Sequence, residues 1–170
     1  MSRTIETKTT VAAPAQLVRA FMLDINNWVR VMPSSVMTPG GFRWEGAPWQ
    51  AGSRIVSVAK VLGMTLKEEV LAPAAGELFR VESRKAGFKY ITACRVADVG
   101  PEESVVTLTT IWAGWPMIFA RFTPRSQFEA GQQFSDRALQ TEIELAWLRA
   151  KQGQESVELY PGLTSPQCTC

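Results

Sequence analysis

Glu68 and Tyr90 are the residues on which chemistry near neutral pH could turn in this chain. Each falls by two-residue alternation among apolar neighbours: Glu68 in the set Met64, Leu66, Val70, and Tyr90 in the set Phe88, Thr92, Cys94. Side chains two apart on a strand share a face, so a regular strand aims both residues at the core. An unpaired carboxylate is costly to bury, and desolvation raises its pKa. That is the condition under which a carboxyl works as a general acid or base near neutrality. A bulge would reverse the phase, leaving Glu68 outside and Glu69 inside. The Tyr90 hydroxyl could donate to a ligand carbonyl or help stabilise an enolate; bonded to backbone, it would be an ordinary buried tyrosine. Arg54 and Arg95 lie on strands, where they could neutralise an acidic ligand or simply face water.

What is missing narrows the chemistry further. The chain has no histidine. Ser-His-Asp and Cys-His catalysis, histidine-bound zinc and the two-histidine iron site are therefore excluded. The cysteines, Cys94 and the terminal pair Cys168 and Cys170, form neither a disulfide framework nor a metal-ligand spacing. No metal and no organic cofactor is expected. A net charge of +2, with scattered Lys and Arg, gives no nucleic-acid footprint. No apolar run approaches the ~20 residues of a membrane span. The most apolar segment, "IWAGWPMIFARF", is broken by Gly114 and Pro116, and "MSRTIETKTT" lacks the apolar core of a signal peptide. The expectation is a cytoplasmic protein without stable membrane insertion; a homodimer is compatible with it.

The elements that must position these groups are legible in order. Residues 4–11 alternate in a β-branched run and predict a strand. "APAQLVRAFML" predicts a helix entered at Pro14, and Asp24 stops it while capping a second short helix, "INNWVRVM", that Pro33 ends. Turn signals then separate six β-rich runs, near 36–45, 53–61, 64–72, 77–84, 88–98 and 104–113, which predict consecutive antiparallel hairpins. The last run is apolar on both faces, so either Ile111 or Trp112 could point inward. A long helix is predicted from the capping box Ser126–Glu129 to Lys151, its apolar stripe including Phe134, Leu139 and Ile143 and its Asp136 solvated. Residues 1–152 read as one domain and 153–170 as a C-terminal tail.

This order resembles the helix-grip fold of the START-like superfamily, also called SRPBCC, which includes pollen-allergen-like proteins and polyketide cyclases. The opening "TTVAAPAQLVRAFMLDINNWVRVMP" is similar to the family's strand, helix-starting proline and D-x-x-x-W followed by proline, here Pro14, Asp24, Trp28 and Pro33. The resemblance spans roughly residues 3–152. It implies an α+β fold in which a seven-stranded curved antiparallel sheet wraps the long C-terminal helix, with two short helices after the first strand. It also implies a cavity between sheet and helix for a hydrophobic, oxygenated small molecule. Trp28, Met64, Leu66, Phe79, Val81, Phe88, Trp112 and Phe134 are the candidate lining residues, with Glu68 and Tyr90 as candidate catalytic groups. The implied activity is polyketide cyclase/dehydratase-like, by substrate confinement and acid/base assistance without a metal. A non-catalytic lipid or metabolite carrier would have the same cavity.

Overall fold

The structure, a computed structural model, describes residues 2–31, 37–59, 64–85, 87–114 and 125–153; within these, the side chains of 29–30, 37–41, 58–59, 64, 66, 85, 88 and 125–135 lie outside the description. The elements run β1 (Ser2–Val11), α1 (Ala15–Leu23), α2 (Ile25–Val31), β2 (Met37–Glu45), β3 (Arg54–Ala59), β4 (Met64–Leu71), β5 (Phe79–Lys85), β6 (Phe88–Gly100), β7 (Glu103–Gly114) and α3 (Arg125–Lys151). All seven strands form one antiparallel sheet in the order β1-β7-β6-β5-β4-β3-β2. Sequential hairpins therefore build β2 to β7, and β1 closes the sheet beside β7. This is the expected helix-grip arrangement, with α3 as the long C-terminal helix.

The break between α1 and α2 has a clear physical cause. The last four carbonyls of a helix lack partners within it. Here all four are satisfied: Ala20 O by Asp24 N (3.3 Å), Phe21 O by Asn27 Nδ2 (3.2 Å), Met22 O by Trp28 Nε1 (3.0 Å) and Leu23 O by Trp49 Nε1 (2.6 Å). Asp24 then begins the next helix, its Oδ1 accepting from Asn26 N at 2.9 Å as an N-cap does. The break thus turns the chain and supplies α1 with its C-terminal partners. Meanwhile Val18, Phe21 and Met22 are buried toward the sheet.

Register fixes which face each strand residue occupies, because cross-strand partners share a face. One row across the concave face runs Ile55, Glu68, Ser83, Tyr90, Trp112 and Arg3. The next runs Val70, Val81, Thr92, Thr110 and Ile5, and a third carries Phe79, Cys94, Leu108 and Thr7. The regular phase of β4 holds, with Glu68 inward and Glu69 exposed on the other face. Trp112, not Ile111, is the inward residue of β7. Arg54 and Arg95 are exposed on the outer face, where Arg95 stands 3.7 Å from Glu77.

The helix α3 lays Leu139, Ile143 and Ala146 into the core. Asp136, expected to be solvated, is instead only 6% exposed. It precedes Leu139 by three residues and so shares the inward face of the helix. The capping box Ser126–Glu129 and the tail 154–170 with Cys168 and Cys170 lie outside the described side chains.

Candidate functional site

Between the concave face and the helices lies a cavity of about 160 Å³. Its sheet wall is built from the adjacent rows: Glu68 and Tyr90 from one, Val81, Thr92 and Thr110 from the next, then Phe79 and Leu108. Met22, Trp28, Val31 and Leu139 close it from the helices. A cavity near 150 Å³ takes one benzene-sized group. The wall is apolar except for one carboxyl and three hydroxyls, an arrangement suited to an apolar ligand oriented by few polar contacts.

Glu68 is half-buried because the cavity reaches it, yet protein atoms surround the carboxyl. Among the described residues no cation or hydrogen-bond donor partners it, and burial pushes its pKa from 4.5 up to about 7. Near neutral pH it is therefore shared between the acid and the carboxylate, the state of a group that can both take and return a proton.

Tyr90 sits two strands from Glu68 in the same row, with Ser83 between them. Strands are ~4.8 Å apart, so the two backbones are separated by roughly 10 Å and their side chains converge across the cavity wall. Burial raises the Tyr90 pKa, and the negative charge of Glu68 adds to the rise. The hydroxyls of Thr92 and Thr110 lie close enough to oppose it. Thr92 Oγ1 nevertheless makes no hydrogen bond of good geometry and is buried. The phenol stays protonated at neutral pH and is available as a donor.

Trp28 lines the cavity with its ring while its indole N–H is committed to Met22 O. The ring also joins a cluster with Phe42, Trp49 and Phe79, centroids 5.5–5.8 Å away. Trp49 stacks on Phe79 at 4.8 Å and adopts φ = 58°, a left-handed conformation unusual for a side chain of this size. Trp112 meets the site through Tyr90, ring centroids 4.6 Å apart, rather than contributing to the described wall. Met64, Leu66, Phe88 and Phe134 lie on β4, β6 and α3, but their side chains are outside the description.

The structure thus brings together Glu68, Tyr90, Trp28, Phe79 and Val81 of the expected set, along with Leu139. Sequence reasoning passed over Met22, Val31, Leu108, Thr92 and Thr110. Thr92 was placed on the face of Tyr90 but given no role, and the open phase of β7 hid Leu108 and Thr110. Counting back by twos from an inward Trp112 would have found both. Cys94 faces inward without being a nucleophile, because burial pushes its thiol up to about 12. Among the described residues no cluster of three or more Cys, Asp or Glu could hold a metal ion. Among the same residues no helix is long and apolar enough to cross a membrane.

A seven-stranded sheet gripping a C-terminal helix over a mostly apolar cavity defines a START-like, SRPBCC protein. Solved structures share the fold. A START superfamily protein from Mycobacterium smegmatis is 13% identical, with a TM-score of 0.62, covering 84% of this chain and 98% of that one. Norcoclaurine synthase from Thalictrum flavum, a point mutant in complex with a transition-state analogue, is 14% identical with a TM-score of 0.57, covering 84% and 96%. The di-domain ARO/CYC BexL, from a biosynthetic pathway, is 17% identical with a TM-score of 0.64, covering 84% of this chain and 47% of that one. No curated protein matches the chain in sequence. A family model described as polyketide cyclase / dehydrase and lipid transport matches residues 2–144, and the chain belongs to that family.

Proposed function

We propose that the chain binds a hydrophobic, oxygenated small molecule in this cavity and acts on it as a cofactor-independent cyclase or dehydratase. The carrying observation is Glu68, an inward carboxyl without a described partner, poised near neutrality in an apolar cavity beside the Tyr90 phenol. As carboxylate, Glu68 removes a proton from carbon next to a carbonyl. Tyr90 donates a hydrogen bond to the oxygen on which the charge collects, where a preorganised donor stabilises the transition state most. Protonated Glu68 then returns the proton, or assists a hydroxyl to leave as water. The apolar walls hold the reacting atoms together and exclude solvent.

The cavity has room for about one ring at this depth. Only the reacting portion of a larger molecule is enclosed beside Glu68.

Native mass spectrometry of gently purified protein identifies the co-purifying molecule, and turnover of that molecule tests the assignment. Glu68→Gln is expected to lower kcat by about 10²–10⁴-fold, the usual worth of a general acid or base. Tyr90→Phe is expected to lower it less, by about 10²-fold, as loss of one of several stabilising contacts. If both variants retain full turnover, these catalytic roles are wrong. Carriage without chemistry is a second reading, supported by the apolar majority of the wall and by the lipid transport in the family's description. It predicts release of the bound molecule unchanged, with Glu68→Gln binding as tightly as the parent.

A further inference from the structure

Proton transfer by Glu68 with Tyr90 as donor leaves two hydroxyls of the cavity wall without a role, those of Thr92 and Thr110. Thr92 Oγ1 is shielded from solvent in the cavity wall and, although the Tyr90 hydroxyl stands near it, makes no hydrogen bond of good geometry among the described residues. Its cross-strand neighbours on this face are Val81 and Thr110, and Tyr90 precedes it by two residues on the same face. A buried hydroxyl with no partner is destabilising relative to a methyl group. Valine has the same shape, and its β-branched side chain suits a strand at least as well. Among the described residues only the Tyr90 hydroxyl stands near, and it leaves the Thr92 hydroxyl without a well-made bond. A ligand would supply one, because a site built to hydrogen-bond an oxygen leaves its donors unpaired when empty. Thr7 Oγ1 is likewise without a partner, but it lines a separate polar groove against α3 with Asp136, Arg137 and Gln140.

We propose that Thr92 is a specificity-determining residue whose hydroxyl, together with that of Tyr90, hydrogen-bonds a single carbonyl oxygen of the ligand, so that the site selects a ring-sized ketone over the hydrocarbon of the same shape. The inference rests on the small-molecule reading of the cavity. Tyr90 and Thr92 supply donors from adjacent inward positions of β6, and the rest of the wall offers only carbon, the Thr110 hydroxyl and the Glu68 carboxyl. Glu68 lies across Ser83 from Tyr90, so a C–H next to that carbonyl faces the carboxyl.

Acetophenone and ethylbenzene, near-isosteres that differ in the carbonyl oxygen, are the probes, and calorimetric titration gives their affinities. The parent protein is expected to prefer acetophenone by about tenfold or more, as one to two net hydrogen bonds provide. Thr92→Val is expected to reduce that preference about tenfold while leaving ethylbenzene binding unchanged, and Thr92→Ser to keep it. Without ligand, Thr92→Val is expected to melt no lower than the parent, which separates a ligand contact from a structural one. A second measurement needs no variant: the infrared carbonyl stretch of bound acetophenone should fall below its position in hexane. An unshifted stretch, or a preference that survives Thr92→Val, overturns the proposal. Ethylbenzene bound as tightly as acetophenone by the parent overturns this proposal alone. Failure of both probes to bind overturns it together with the small-molecule reading.

Discussion

Burial gives Glu68 a thermodynamic signature as well as a chemical one. Its carboxyl titrates at 4.5 when unfolded and at about 7 in the folded protein. The folded state therefore holds a proton that the unfolded chain has released between those values. Stability from this group is full below about pH 4.5, declines as pH rises toward 7, and is level above. The charged carboxyl then costs on the order of 3 kcal/mol, the shift expressed as free energy. Glu68→Gln should consequently match the parent in stability at about pH 4 and exceed it by up to that amount at about pH 8, as denaturant titrations at both pH values will show. A proton-accepting role carries the opposite preference: turnover should rise with pH through about 7 as the carboxylate forms. Glu77 on the outer face provides the contrast. Its carboxylate accepts from Arg80 at 2.6 and 2.9 Å and from Ala74 N at 2.8 Å, and these contacts hold its pKa below the usual range. The two carboxyls are opposites because one has donors and the other faces a cavity.

At the scale of elements, the junction between α1 and α2 determines how the site is closed. Trp49 reaches it from the connection between β2 and β3, donating to Leu23 O and stacking on Phe79 of the cavity wall. Trp49→Phe keeps most of the ring contact and loses the donor. It should cost about 1–2 kcal/mol, a hydrogen bond whose carbonyl is left part-buried, measured by urea unfolding. Asp24 was visible in the sequence as both stop and cap because capping is local, acting over two or three residues. Trp49 was not, because its partner lies 26 residues away and no pattern in "GAPWQAGS" points to it. The strands followed the same rule. Their order was legible from turn residues, and the inward phase of β4 and β6 from alternation. In β7 both faces are apolar, so only the pairing of Tyr90 with Trp112 decides its phase. Asp136 was misjudged because a charged residue beside an apolar stripe reads as solvated, whereas the direction of α3 is set by what it packs against.

The whole molecule concentrates its long-range order on one side of the sheet. β6 and β7 are its longest inner strands, 13 and 12 residues, paired with each other and flanked by β5 and β1. β2, at the far edge, pairs with β3 alone, and its register shifts between Met37 and Phe42. Amide hydrogen exchange should therefore be slowest in the paired amides of β6 and β7 and faster in β2, since opening an edge breaks one ladder and opening the interior breaks two. Tyr90, Thr92, Leu108 and Thr110 all belong to that slow pair, so three of the cavity's four polar side chains sit on the most rigid part of the scaffold. The opposite wall carries Trp28, whose ring touches the cavity, and Trp49, one ring further out against Phe79. Occupancy consequently has a built-in optical signal. A guest beside Glu68 replaces water or empty space next to an indole, and the protein's own tryptophan emission becomes a label-free gauge of filling.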